Sequence, residues 1–241
     1  MTTTNKKTLA IFGAGPGLGA SLATRFGKEG YQIALVARRP GPLEERVAAL
    51  KGAGIEAAAF PADLTKLDGI PALVRVIEEK LGGIDVAVYM PVRSNFGFIP
   101  ALQLDAAELR PLAELFTFAP IELAHALLPG LTARGGAFVY GNGTSSIVTM
   151  PGMSGVGPAM AAARNFVFTL NAEGKDKGVY AGAVTIGALI EGSAGHAALT
   201  ASGQPIHYPI IKPAEIADEV WSLVTKRDRV EAVLPPLVEG R

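Results

Sequence analysis

The sequence predicts an α/β fold: a doubly wound, mostly parallel sheet flanked by helices on both faces. Three observations predict it. Short apolar runs alternate along the chain with segments whose apolar residues recur at helical spacing. The helical segments are long enough to cross from one parallel strand to the next, a connection that is nearly always right-handed. The first apolar run also opens into a glycine-rich loop that leads straight into a helical pattern.

The elements follow in order. Residues 9–12 form a short apolar run ending in glycine, which predicts a buried parallel strand. Leu18, Leu22 and Phe26 place a helix over 18–29. Residues 33–37 make the second strand. Pro42 leads a helix over 42–51 that Gly52 and Gly54 close. Residues 55–60 are the third strand and 70–81 a helix. Residues 85–89 are the fourth strand. A long helix over 105–128 stops before Pro129 and Gly130. Residues 137–140 are the fifth strand, 158–172 a helix and 183–186 the sixth strand. A variable stretch over 188–212 precedes a helix over 213–225 and a last strand over 230–234. No linker, low-complexity tract or further repeat interrupts the alternation, so residues 1–241 read as one domain.

Composition narrows the function classes. Formal net charge is +0, which argues against a nucleic-acid partner or an anionic membrane surface, since both need a basic surplus. The chain has no cysteine, which excludes disulfides, thiolate metal sites and a Cys nucleophile. Its three histidines lack the close spacing of a metal site. Residues 1–8 are polar and carry no apolar leader core, and no apolar run looks long enough to span a bilayer. A cytoplasmic protein is the expectation.

In a sheet of this kind ligands bind beyond the carboxyl ends of the strands. After the first strand comes Gly13-Ala14-Gly15-Pro16-Gly17-Leu18-Gly19. Glycines let a backbone turn tightly against a pyrophosphate, and the following helix aims its first N–H groups at the phosphate charge. The strand–loop–helix context makes this a Rossmann-like dinucleotide site. After the second strand stand Arg38 and Arg39, with no acid between Gln32 and Pro42. An acid there would take ribose hydroxyls, whereas Arg accommodates a 2′-phosphate through a planar, charge-assisted fork. The expected cofactor is therefore NADP(H) rather than NAD(H).

The spacing of Gly13, Gly17 and Gly19 resembles the G-x-x-x-G-x-G loop of the short-chain dehydrogenase/reductase family, with Phe12 where that family usually has Thr. Asp63, Leu64 and Thr65 resemble its Asp-Leu/Val-Thr segment, which implies that Asp63 meets the adenine edge. Leu170-Asn171-Ala172-Glu173, Lys177-Gly178-Val179, Val184 and Gly187 resemble a later family segment without gaps. By resemblance, Ile190 meets the nicotinamide carboxamide with its backbone, residues 188–212 cover the substrate, and Glu191 turns outward from the phosphates.

The family's mechanism uses Tyr and Lys four residues apart on one helix face, a Ser that polarises the carbonyl, and an Asn in the long fourth helix. Counting back from the later segment, the Lys position is Met160 and the Tyr position Val156. Counting from Gly136, the Ser position is Gly143, and its distance to Val156 matches the family's spacing. Counting back from Pro129, the Asn position is Phe116. The Asn-Asn-Ala-Gly segment after strand four is Tyr89, Met90, Pro91 and Val92 here. The side chains at the four catalytic positions, Phe116, Gly143, Val156 and Met160, cannot do that proton chemistry. A slip of register could bring in Ser145 or Ser146 for the Ser, but residues 151–172 contain neither Tyr nor Lys.

Tyr89 and Tyr140 read first as packed side chains with satisfied hydroxyls, and His196, His207 and Tyr208 as loop residues; as weak substitutes for the proton donor, Tyr140 and Tyr208 stand ahead. Tyr89, His196, His207 and Arg164 stand behind them, and His125 reads as a core or interface residue. Two functions are expected. One is an atypical NADP(H)-dependent oxidoreductase acting on a small carbonyl or alcohol compound, with its proton from water, Tyr140, Tyr208 or the substrate. The other is a catalytically silent NADP(H)-binding protein that senses redox state or assists a partner subunit. The resemblance also implies a homodimer or homotetramer formed through the fourth and fifth helices, with apolar stretches at 112–118 and 166–170.

Overall fold

The computed structural model describes residues 6–92, 98–203 and 208–237. Seven strands form one sheet: β1 (Thr8–Phe12), β2 (Gln32–Ala37), β3 (Ala57–Pro61), β4 (Val86–Tyr89), β5 (Ala137–Gly143), β6 (Tyr180–Ile186) and β9 (Glu231–Leu234). Their order is β3-β2-β1-β4-β5-β6-β9, and each pairing is parallel. The short strands β7 (Leu189–Ile190) and β8 (Ile210–Ile211) pair with each other.

Alternation along the strands divides the core between two faces. Leu9 and Ile11 point to one side, with Ile33, Leu35, Val86 and Val88. Helices α1 (Leu18–Gly27), α2 (Pro40–Gly52) and α8 (Pro213–Lys226) cover that side through Leu22, Phe26, Leu43 and Val220. Ala10 and Phe12 point to the other side, with Val36, Phe60 and Phe138. Helices α3 (Ile70–Leu81), α5 (Ala119–Arg134) and α6 (Val156–Gly174) cover this one through Ile77, Leu123 and Val167. Because both faces are covered, β1 reads as an unbroken apolar run from Leu9 to Phe12.

The long fourth helix departs from the sequence expectation. It runs unbroken over Ala106–Arg134, as α4 (Ala106–Ala113), a π-helical turn over Glu114–Phe118, and α5. Its stop is Gly135, at φ 59°, where a glycine relieves the left-handed backbone. Pro129 does not end it, since Pro129 and His125, whose carbonyl loses its helical donor, both face solvent. Pro120 explains the π turn. It has no N–H for the Phe116 carbonyl at α spacing, nor for Leu115 at π spacing. Tyr140 donates to the Phe116 carbonyl at 2.8 Å and Tyr89 to that of Leu115 at 2.5 Å.

By length and composition this helix could cross a membrane, which corrects the expectation that no apolar run is long enough. Its apolar side chains instead pack on the sheet through Leu112, Phe116, Leu123 and Leu127. Within the apolar stretches expected at an interface, Leu112, Leu115, Phe116, Val167 and Leu170 are core, while Phe118 is exposed. The variable stretch contains β7, α7 (Ala194–Ala201) and β8.

Candidate functional site

A cavity of about 720 Å³ opens at the carboxyl ends of β1, β4, β5 and β6. It spans the point where strand order reverses between β1 and β4, the ligand position in doubly wound sheets. Of the residues expected at the cofactor, Gly13, Gly15, Gly17, Leu18, Gly19, Arg38, Asp63, Leu64 and Ile190 line it. Arg39 does not. It is exposed at the position preceding α2.

The glycine loop is held from below by β2 and lines the cavity. Gly13 and Ala14 both donate N–H to the Val36 carbonyl at 2.9 Å. Gly13 has φ +94°, and a Cβ there would lie 2.5 Å from the Pro91 nitrogen. The chain after β4 thus passes directly over the loop. Gly17 precedes α1 with no side chain capping the helix, so the first N–H groups of α1 are free for an anion. The start of α7 closes the same spot, with the Ser193 nitrogen 3.4 Å from a Cβ placed on Gly17. Ser193, Ala194 and Gly195 line the cavity there.

Asp63 lies where strand three meets the cavity. Its Oδ1 accepts from the Thr65 hydroxyl at 2.8 Å and the Thr65 N–H at 3.1 Å. Desolvation pushes its pKa up, but the Thr65 bonds and the charges of Arg38 and Lys66 prevail and hold it below the usual carboxylate range. Sequence reasoning missed Arg46 on α2, whose guanidinium donates to the Ala14 carbonyl at 2.8 Å. The sequence offered little signal for it, since Ala14 lies thirty-two residues away in the chain. Uncapped N–H groups, a glycine-rich loop and guanidinium groups together fit the phosphates of a dinucleotide.

At the far end of the cavity, Gly143 and Met160 are brought together, with the Gly143 N–H directed at the Met160 thioether at 3.4 Å. A Cβ on Gly143 would meet nothing nearer than the Ser145 hydroxyl at 3.8 Å. Val156 is buried at the start of α6, one helical turn before Met160. Phe116 is buried in the π turn. Thr117 ties that turn to α6 by donating to the Ala159 carbonyl at 2.7 Å. Asn142 also lines the cavity. Its Oδ1 faces the hydroxyls of Ser146 and Thr185, and Thr185 donates to Glu231 at 2.6 Å.

Tyr89 and Tyr140 are packed with satisfied hydroxyls, as expected, which removes them as proton donors. Tyr140 is completely buried in the core, its ring stacked on Tyr89 and its hydroxyl committed to Phe116. Burial raises its pKa far beyond the phenol range. Tyr89 is raised by burial and by Tyr140. Tyr208 is exposed and does not line the cavity. His196 accepts the Gly192 N–H through Nδ1 at 3.3 Å, and His207 lies outside the described residues. Arg164 is paired bidentately with Glu231, at 2.7 and 2.5 Å. His125 is exposed rather than core, and Glu191 is exposed and outside the cavity lining.

These tyrosines predict an alkaline transition. Desolvation, opposed by the charges of Arg229 and Arg227 and reinforced by that of Asp228, pushes Tyr180 up to about 12. An unfolded tyrosine titrates near about 10. The fold holds the neutral phenols, so their stabilisation is complete below that value and is lost progressively as pH rises from there through the raised folded-state values. Tyr89 and Tyr140 should ionise only with unfolding. Tyrosinate absorbance and far-ultraviolet circular dichroism should therefore change together. Ionisation of all 5 tyrosines near pH about 10 with the dichroism intact would contradict this.

The fold and site define a dinucleotide-binding α/β protein of the doubly wound class. The sequence profile of short chain dehydrogenases matches residues 7–195. The chain belongs to that family, whose members are NAD(P)-dependent oxidoreductases. It is similar to a fatty acyl-CoA reductase of Mycobacterium tuberculosis, 29% identical over 156 residues, covering 59% of this chain and 49% of the relative. The chain spans about half the length of the first curated relatives it matches. Among solved structures, an alcohol dehydrogenase of the archaeon Thermococcus sibiricus, complexed with 5-hydroxy-NADP, is similar with TM-score 0.79 and 25% identity over 95% of each chain. An actinorhodin polyketide ketoreductase with NADPH shares the fold with TM-score 0.85 and 21% identity over 97% of each chain.

Proposed function

We propose that the chain is an atypical NADP(H)-dependent oxidoreductase that interconverts a carbonyl compound and its alcohol without the family's usual proton relay. Gly143, Val156, Met160 and Phe116 stand, in this reading, where relatives carry Ser, Tyr, Lys and Asn. The observation that carries it is the continuous cavity from Arg38 and the glycine loop to the contact between Gly143 and Met160. Bound coenzyme would supply a hydride to the carbonyl carbon. The carbonyl oxygen then takes its proton from water, since Tyr140 is committed elsewhere and Tyr208 lies outside the cavity. Met90, Pro91, Phe98, Leu115, Ile186 and Leu189 give the crevice an apolar lining, which favours an apolar carbonyl compound.

A second reading is a catalytically silent NADP(H)-binding protein. The Gly143–Met160 contact favours it, because it joins two catalytic positions through groups that cannot exchange a proton. Fluorescence titration with NADPH, followed by a panel of ketones and aldehydes, separates the two. Turnover of any panel compound supports the enzyme, and saturable binding with no turnover supports the silent protein.

The same titration tests Arg38. A hydrogen bond to a charged group contributes about 1.5–3 kcal/mol, so Arg38→Ala should weaken NADPH binding by roughly 10- to 150-fold. NADH binding should change little. An equal loss for both coenzymes would remove the 2′-phosphate role.

A further inference from the structure

Arg46 has no place in the site derived from sequence, yet it is the cation most closely tied to the glycine loop. It projects from α2, is partly buried, and donates one N–H to the Ala14 carbonyl at 2.8 Å. A guanidinium has five N–H donors. Among the described residues, no ion pair is formed by Arg38, Arg39 or Arg46. Desolvation and then the charge of Arg39 work against the charge on Arg46, with Glu45 opposing them. A partly buried cation set beside a like charge is costly unless an anion joins it. A hydrogen bond to one carbonyl needs no charge, so the tie to Ala14 alone does not account for an arginine.

We propose that Arg46 is a specificity-determining residue that joins Arg38 and Arg39 in binding the phosphate on the adenosine ribose. The inference rests on the NADP(H) reading above. Arg38 enters the cavity from the end of β2. Arg39 is the extended residue just before α2 and Arg46 lies on α2, near enough for the charge of Arg39 to act on it. The bond to Ala14 makes Arg46 a strut between α2 and the loop that receives the pyrophosphate. Phosphate recognition and loop position are thereby joined in one side chain.

The test uses Arg46→Gln, which keeps an N–H donor for Ala14 and removes the charge, and Arg46→Lys, which restores the charge without the planar fork. Binding is measured by calorimetry with NADPH, NADH and 2′,5′-ADP. R46Q should lose roughly 10-fold or more in affinity for NADPH and 2′,5′-ADP, with NADH within about 2-fold, and R46K should recover part of the loss. A melting temperature near that of the wild type shows that the variants fold. If the wild type prefers NADPH but R46Q binds it equally well, or loses NADPH and NADH alike, Arg46 has only a structural role. A wild type with no preference for NADPH overturns the cofactor reading itself, and this assignment with it.

Discussion

Gly13→Ala should lower the melting temperature by roughly 6–12 °C, on a destabilisation of about 3 kcal/mol. Two costs combine. A side chain at φ +94° is strained whatever the space around it. The new Cβ would also lie 2.5 Å from the Pro91 nitrogen, 2.6 Å from its Cα and 2.8 Å from the Met90 carbonyl carbon. These atoms are backbone of the chain leaving β4, so no rotamer change relieves the clash. Either the loop or the 90–91 segment must move, and both line the cavity. Coenzyme binding should fall with stability. Gly15→Ala is the control, because a Cβ there meets only the Gly13 carbonyl oxygen at 4.0 Å. That variant should melt within about 2 °C of the wild type. A Gly13→Ala protein as stable as the Gly15→Ala protein would show that the packing of the 90–91 segment is misread.

The second large effect is a gain. Installing Gly143→Ser, Val156→Tyr and Met160→Lys together should raise ketone reduction by at least about 100-fold, since general acid–base catalysis typically contributes about 10²–10⁴-fold. The space favours two of the three changes. Ordinary contact distances surround a Cβ on Gly143. Met160 is unbranched and lines the cavity, so lysine can follow its path with the amine toward the crevice. Val156→Tyr is the demanding one, because Val156 is buried at the start of α6 and overpacking there costs about 1–3 kcal/mol. Circular dichroism and an NADPH titration separate failure to fold from failure to catalyse. A triple variant that folds and binds NADPH as the wild type does, with unchanged turnover across the ketone panel, would refute the placement of these positions.

Much of the molecule was legible before the structure. The strands and most helices followed from period, because burial on one face or two writes itself into neighbouring residues. The glycine loop was legible because its function is local, and the strand before it and the helix after it are both adjacent in sequence. Arg38 followed from its place at the end of β2.

The misreadings have one cause. Pro129 looked like a helix stop, but its cost depends on whether the orphaned carbonyl faces water, as it does here. Tyr140 was legible as a packed side chain, but not the partner of its hydroxyl, the carbonyl that Pro120, twenty residues earlier, leaves without a helical donor. Arg46 was invisible because its partner, Ala14, belongs to another crossover.

The sequence by itself determined the seven-stranded frame, the glycine loop after β1 and the charge beside it, because each depends on residues close together in the chain. Only the tertiary structure decided which tyrosine is locked in the core, which arginine reaches the loop, and that Gly143 and Met160 touch. Those outcomes depend on contacts between elements far apart in the chain, where periodicity carries no information and only packing selects the partner.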